Sequence, residues 1–145
     1  MNNNNKHTII DILNDVVKSN IIDINVNEKT IMIMKHLLLK KPDVFHVIQY
    51  NINGILIKQE IDITHINIIV KMFCTYYEMT LYKYINKYKI EKNIIYDLII
   101  FIIKVMIREN LIKTTNKNEF YYYLDIFQRG LEINVKLKNR CCICM

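Results

Sequence analysis

The chain has 145 residues, enough for one domain with its own core, and 52% hydrophobic against 23% charged residues exclude a disordered chain. A net charge of +6 and a pI of about 9.1 exceed what an enzyme for small neutral substrates needs; nucleic acid or an anionic membrane surface would be attracted by them. Two Gly, one Pro and no Trp leave few chain breakers, so long helices should dominate.

Residues 1–6 read as a disordered polar lead, and residues 7–140 as a single domain. MNNNNKHT lacks the apolar segment of a signal peptide, so the cysteines are expected to be reduced. From Thr8, Ile9, Ile10, Ile12, Leu13, Val16 and Val17 fall at helical spacing. A second helix starts near Asn27 or Glu28, carries Ile31, Met32, Met34, Leu37 and Leu38, and stops at Lys40-Lys41-Pro42. The period then changes. VFHVIQYNINGILIKQEIDI has two β-branched and aromatic runs around Asn53-Gly54, the strongest short hairpin signal, which predicts an antiparallel β-hairpin at about 44–61. Thr64 could cap one long helix through IVKMFCTYYEMTLYKYINKY. NIIYDLIIFIIKVMIREN predicts another helix from about Asn93. Its run from Ile94 to Ile107 is too short for a membrane span and carries Asp97 and Lys104, so it reads as a buried core helix. EFYYYLDIFQR is a further helix, with Gly130 at a C-cap position. Beyond it, Leu131, Ile133, Val135 and Leu137 alternate with polar residues, which predicts a third strand at about 131–137. The fold class expected is therefore α+β: a mostly helical single domain with a small hairpin.

No catalytic pattern emerges. His7, His36, His46 and His65 are scattered, and no HExxH, GxSxG or phosphate loop is present. Asp11 and Asp15 are one helical turn apart, a spacing that a solvated face explains. Cys74 reads as a small core residue. No enzyme, cofactor or metal site is expected. The basic residues say more. Lys83, Lys87, Lys89 and Lys92 cluster between two helices and read as a solvated face with good dipole chemistry. Lys104 and Arg108 share a helix face, Lys113 and Lys117 continue past it, and Arg129 closes the next helix. Together with Lys83 to Lys92 these could form one patch at one end of a helical pair that grips phosphates, with Lys as point charges and Arg as a bidentate fork, and these five are the headgroup-binding candidates. Tyr121, Tyr122 and Tyr123 are stacking candidates for nucleic acid, yet three consecutive helical residues cannot share one face.

The tail, 141–145, reads as flexible and Cys-rich. Its CCIC lacks a second ligand cluster at zinc spacing. Cys142-Ile143-Cys144-Met145 loosely fits a prenylation signal on Cys142, with Lys136, Lys138 and Arg140 as a polybasic companion. Cys144 departs from that signal, and a frayed end with incidental cysteines is the simpler reading.

Ile, Asn, Lys and Tyr, all with A/T-rich codons, are overused, which suggests an AT-rich virus or microbe. In that light the order of marks is informative: a helix, Lys40-Lys41-Pro42, a hairpin with Gly54, long helices with a basic stretch, Arg129-Gly130-Leu131-Glu132, and cysteines from Cys141. This order resembles the small late phosphoinositide-binding proteins of poxviruses, which are required for viral membrane crescents and immature virions. The marks span most of the chain and are weakly specific one by one. The resemblance implies a non-enzymatic peripheral membrane protein in the host cytoplasm at sites of viral assembly, with phosphoinositide membranes and viral assembly proteins as partners. It also implies headgroup binding by a basic run on and after a late helix. The counterpart, Ile103 to Lys117, retains Lys104, Arg108, Lys113 and Lys117 but is less basic, since Ile102, Ile103 and Ile107 stand about where that family carries charge. An alternative is a viral Bcl-2-like helical protein binding host apoptosis or signalling factors. The apolar Ile94–Ile107 helix fits its outline; the hairpin, and the lack of an Asn-Trp-Gly-Arg-like motif, count against it. A nucleic-acid binder ranks third.

Overall fold

The computed structural model describes residues 9–19, 24, 26–47, 50 and 63–143. Beside a helical stretch at 43–47, six α-helices with described bounds carry the fold. They are α1 (Ile9–Ser19), α2 (Glu28–Lys40), α3 (Ile66–Thr80), α4 (Tyr82–Tyr88), α5 (Lys92–Arg108) and α6 (Lys117–Ile143), with a 3-10 turn at Ile63–His65 leading into α3. The described residues contain no strand, so the α+β expectation gives way to an all-helical fold.

α1 forms because Ile9, Ile12, Leu13 and Val16 make one buried stripe, while Asp11 and Asp15 stay exposed. α2 starts at Asn27, whose extended backbone (φ −68°, ψ 140°) and Oδ1 acceptor hold the Lys29 amide at 2.9 Å. It buries Thr30, Met34 and Leu37, spaced four and three apart. The Lys41 amide closes the helix on the Leu37 carbonyl at 2.7 Å, just ahead of Pro42.

The expected hairpin at 44–61 is corrected at its first strand. Residues 43–47 are helical, and Val44 and Phe45 face the core. A β-branched run of this length is compatible with either state, and burial against the helical body decides it. The remainder, including Asn53-Gly54, lies outside the described residues apart from Tyr50, which is helical. The expected single helix from Thr64 is also corrected. Thr64 lies in the 3-10 turn, the N-cap position of α3 falls on His65, whose side chain makes no capping hydrogen bond, and a break at buried Leu81 separates α3 from α4.

α5 is the centre of the molecule. From Ile94 to Ile107 every residue except Asp97 is buried, as the all-round apolar run predicts. It packs against α6 most extensively, then α2, α3 and α1. Full burial of each aliphatic side chain contributes about 1.5–3 kcal/mol, so this helix supplies much of the stabilisation. Both charged residues between Ile94 and Ile107 find partners. Asp97 Oδ2 accepts from the Asn27 amide at 3.1 Å and the buried Thr30 hydroxyl at 2.6 Å, and Oδ1 accepts from Gln128 Nε2 at 2.8 Å. One carboxylate thus ties α2, α5 and α6 together. Lys104 pairs with Asp125 of α6.

α6 runs straight through Gly130 to Ile143. Gly130 is therefore no C-cap, and the third strand expected at 131–137 is helix. Glycine inside a helix costs about 1 kcal/mol, which a long helix anchored by Phe120 and Leu124 can absorb. Alternation over four pairs needs a partner strand to become a sheet, and the described residues offer none.

Candidate functional site

The links Lys117–Arg108, Asp125–Lys104 and Gln128–Asp97 ascend α6 while descending α5, so these helices form an antiparallel pair. That arrangement disperses the five phosphate-gripping candidates. Lys104 points inward: its side chain is 9% exposed and its ammonium is committed to Asp125. Arg108, in the last turn of α5, donates from Nε to Glu109 Oε1 at 3.2 Å. Lys117 donates to the Arg108 carbonyl at 3.1 Å, satisfying the negative end of the α5 dipole. Lys113 is exposed on the connection between the two helices. Arg129 is exposed on α6 twelve residues beyond Lys117, about 18 Å along the axis at 1.5 Å per residue. Two of the five meet at the end of α5; Lys104 and Arg129 do not join them. Cys142 falls in the last turn of α6, among residues whose side chains are outside the description. Tyr121 is half-buried against the core, and Tyr122 and Tyr123 point outward. Among the described residues no His, Cys, Asp and Glu group could hold a metal.

Cations do gather, but elsewhere. Lys40 and Lys41 at the end of α2 face Lys83 and Lys87 of α4 across a cleft of about 460 Å³. His36, Tyr84 and Tyr88 form its floor. All four lysines are exposed, and none has an ion-pair partner within 4 Å among the described residues. Asp43, exposed two residues beyond Lys41, is the acid nearest in sequence on the α2 side. The aromatic floor is a tight cluster. Ring centroids lie 5.4 Å apart for His36–Tyr84, 5.3 Å for His36–Tyr88 and 4.8 Å for Tyr84–Tyr88. Tyr84 Oη is 2.5 Å from His36 Nδ1, and Lys87 Nζ sits 5.3 Å from the Tyr88 ring centroid. Burial, then the neighbouring Tyr88, pushes the Tyr84 phenol above its ordinary range, so it stays neutral and adds no negative charge.

Local sequence explains the cleft. On α2, His36 and Lys40 are four apart and share one face. On α4, Lys83 and Lys87 make one stripe at that spacing and Tyr84 and Tyr88 the adjoining one. α4 then ends on Lys89 in the left-handed region (φ 51°, ψ 48°), with the Ile90 amide reaching back to the Ile85 carbonyl at 3.0 Å. This turn brings Ile90 and Ile94 beside the same face of α2, where a second cleft of about 520 Å³ opens. Sequence reading took Lys40 and Lys41 for a helix stop and Lys83 and Lys87 for a solvated face. The paired stripes on α4 were the available signal; their apposition to α2 was not.

Burial, then the charge of Glu78, pushes the Cys74 thiol up to about 12, so it stays protonated at neutral pH. Comparison of the chain with protein-family models, with curated protein sequences and with solved structures returns no match. The functional reading therefore rests on this geometry and on the order of marks along the sequence.

Proposed function

We propose that the protein is a non-enzymatic peripheral membrane protein that holds phosphorylated lipid headgroups, phosphoinositides foremost, in the lysine cleft between α2 and α4. The observation that carries the reading is the convergence of Lys40, Lys41, Lys83 and Lys87 without carboxylate partners among the described residues. Each basic residue near an anionic surface contributes about 1 kcal/mol, so four give about 4 kcal/mol, near millimolar affinity. That is weak, reversible, and screened over about 8 Å at physiological salt. Two exposed side chains of α2 add to it: Met32, 69% exposed, lines the adjoining cleft, and Leu39 is 80% exposed. No described helix is long and apolar enough to cross a membrane. The poxvirus resemblance supplies the proposed setting: viral crescent biogenesis and virion assembly in the host cytoplasm.

Liposome flotation tests this. Recovery should be high on phosphoinositide vesicles, low on neutral ones, and should fall when Lys83 and Lys87 become Ala. Equal recovery on both vesicle types refutes the reading.

The all-helical body with a buried central α5 supports a second reading, the Bcl-2-like one, because the hairpin that counted against it is corrected at its first strand. In that case an amphipathic helix from a host factor would occupy an apolar groove. The uncompensated lysines favour the lipid reading, since a groove for an apolar helix face has no need of them.

A further inference from the structure

The lysine cleft and its neighbour share three walls. His36, Tyr84 and Tyr88 line both, and beyond them the second cleft is bounded by Met32, Ile33, Ile90 and Ile94. The two openings meet at this aromatic cluster and are read together as one trough, cationic at the end of α2 and apolar toward its middle. The apolar reach, at about 520 Å³, is within the size range of small-molecule sites. Lys29 and Lys89 stand at its rim with a single acid, Glu91. A trough with this polarity matches one kind of occupant: an amphiphile with a phosphorylated head and an apolar chain.

We propose that the trough binds a single phosphorylated lipid, its headgroup among the four lysines and one acyl chain laid over the aromatic wall into the apolar reach. This rests on the headgroup reading above and adds the chain. It supplies what the charges alone lack. Four lysines reach only about millimolar affinity, whereas each methylene removed from water raises affinity about fourfold. The geometry fits lifting one chain partly out of the bilayer rather than attachment to charge alone. Four lysines with no acid line the cationic half, against Lys29 and Lys89 offset by Glu91 in the apolar half, and this excess of positive charge, which outweighs the negative end of the α2 dipole, orients the headgroup toward the end of α2.

Isothermal titration with soluble monoacyl phosphoinositides carrying butanoyl, hexanoyl or octanoyl chains, and with the inositol phosphate alone, tests the proposal. Affinity should rise about fourfold per methylene until the trough is full. Met32→Asp, at a 69% exposed position outside the lysine cleft, should flatten that rise while leaving inositol phosphate affinity within about twofold. Equal affinity for the bare headgroup and every chain length overturns the trough and leaves the headgroup reading standing. No binding of any of these ligands overturns both. A lowered melting temperature in Met32→Asp with chain-length dependence intact assigns the apolar reach to packing within the chain. Saturable binding of an amphipathic peptide, with no dependence on acyl length, assigns it to a partner helix. Either result also overturns the proposal.

Discussion

Two lysine-bearing regions of this molecule use the same residue for opposite ends. At the α5–α6 contact, Lys104 is drawn into the core and neutralised by Asp125. In the cleft between α2 and α4, Lys40, Lys41, Lys83 and Lys87 are exposed and face one another without carboxylates among the described residues. The first arrangement satisfies a desolvated charge and does little for binding. The second leaves mutual repulsion unrelieved, which an arriving phosphate would relieve. What separates them is the opposing helix, acidic in one case and basic in the other.

The comparison breaks most sharply at Asp125. Asp125→Ala strands a buried ammonium, and breaking such a pair typically costs about 3–5 kcal/mol. Because the Asp125 side chain is 48% exposed, water softens the loss and the lower value, about 3 kcal/mol in urea unfolding, is expected. Lys104→Met, which removes the charge and keeps the volume, should cost less than about 1 kcal/mol and leave vesicle binding unchanged. A large loss of vesicle binding in Lys104→Met would return that residue to the site.

Next in size is the cleft itself. Replacing Lys83 and Lys87 by Ala should weaken binding to phosphoinositide vesicles by about 2 kcal/mol, roughly 30-fold, with little change in melting temperature. Lower salt should enlarge the difference. A double variant that loses stability instead would show these lysines to be structural, like Lys104.

A smaller effect sharpens the contrast between helical interior and helical end. A Cβ added at Gly130 meets nothing within 4 Å, so Gly130→Ala should stabilise by about 1 kcal/mol and raise the melting temperature. A destabilised variant would restore Gly130 as a helix end and reopen the strand beyond it.

The smallest expected effect is alkaline. Burial raises Cys74 from 9.0 to about 12, and burial, Glu78 and Cys74 also raise Tyr96. A group held above its unfolded value contributes stability that is full below pH 9 and is lost as pH rises toward 12. Melting temperature should therefore decline across that window, less so in Cys74→Ala. Identical declines in the two proteins would remove Cys74 from the account.

Legibility tracked how local each determinant was. The Ile94–Ile107 helix was readable because its residues are apolar on every side, which only burial on every side tolerates. The α2 start was readable because the cap is made by Asn27 on an amide two residues away. The strand at 131–137 was misread because alternation describes a face, and no sheet among the described residues receives it. Gly130 was misread because the local cost of glycine is small beside a helix of 27 residues. The five site candidates were grouped by proximity along the chain, while the antiparallel α5–α6 pair turns one inward and carries another about 18 Å away along α6.

The sequence alone determined that the chain would be rich in helix, where its most buried helix lies, and that it carries a surplus of positive charge. These follow from composition and from spacings of three and four residues, which act within one element. Tertiary structure alone decided which lysines are neutralised and which remain available, and that an aromatic wall joins a cationic cleft to an apolar one. Ion pairing and cleft formation depend on which side chains stand on the facing helix, and for α2 and α4 those residues are more than forty positions apart.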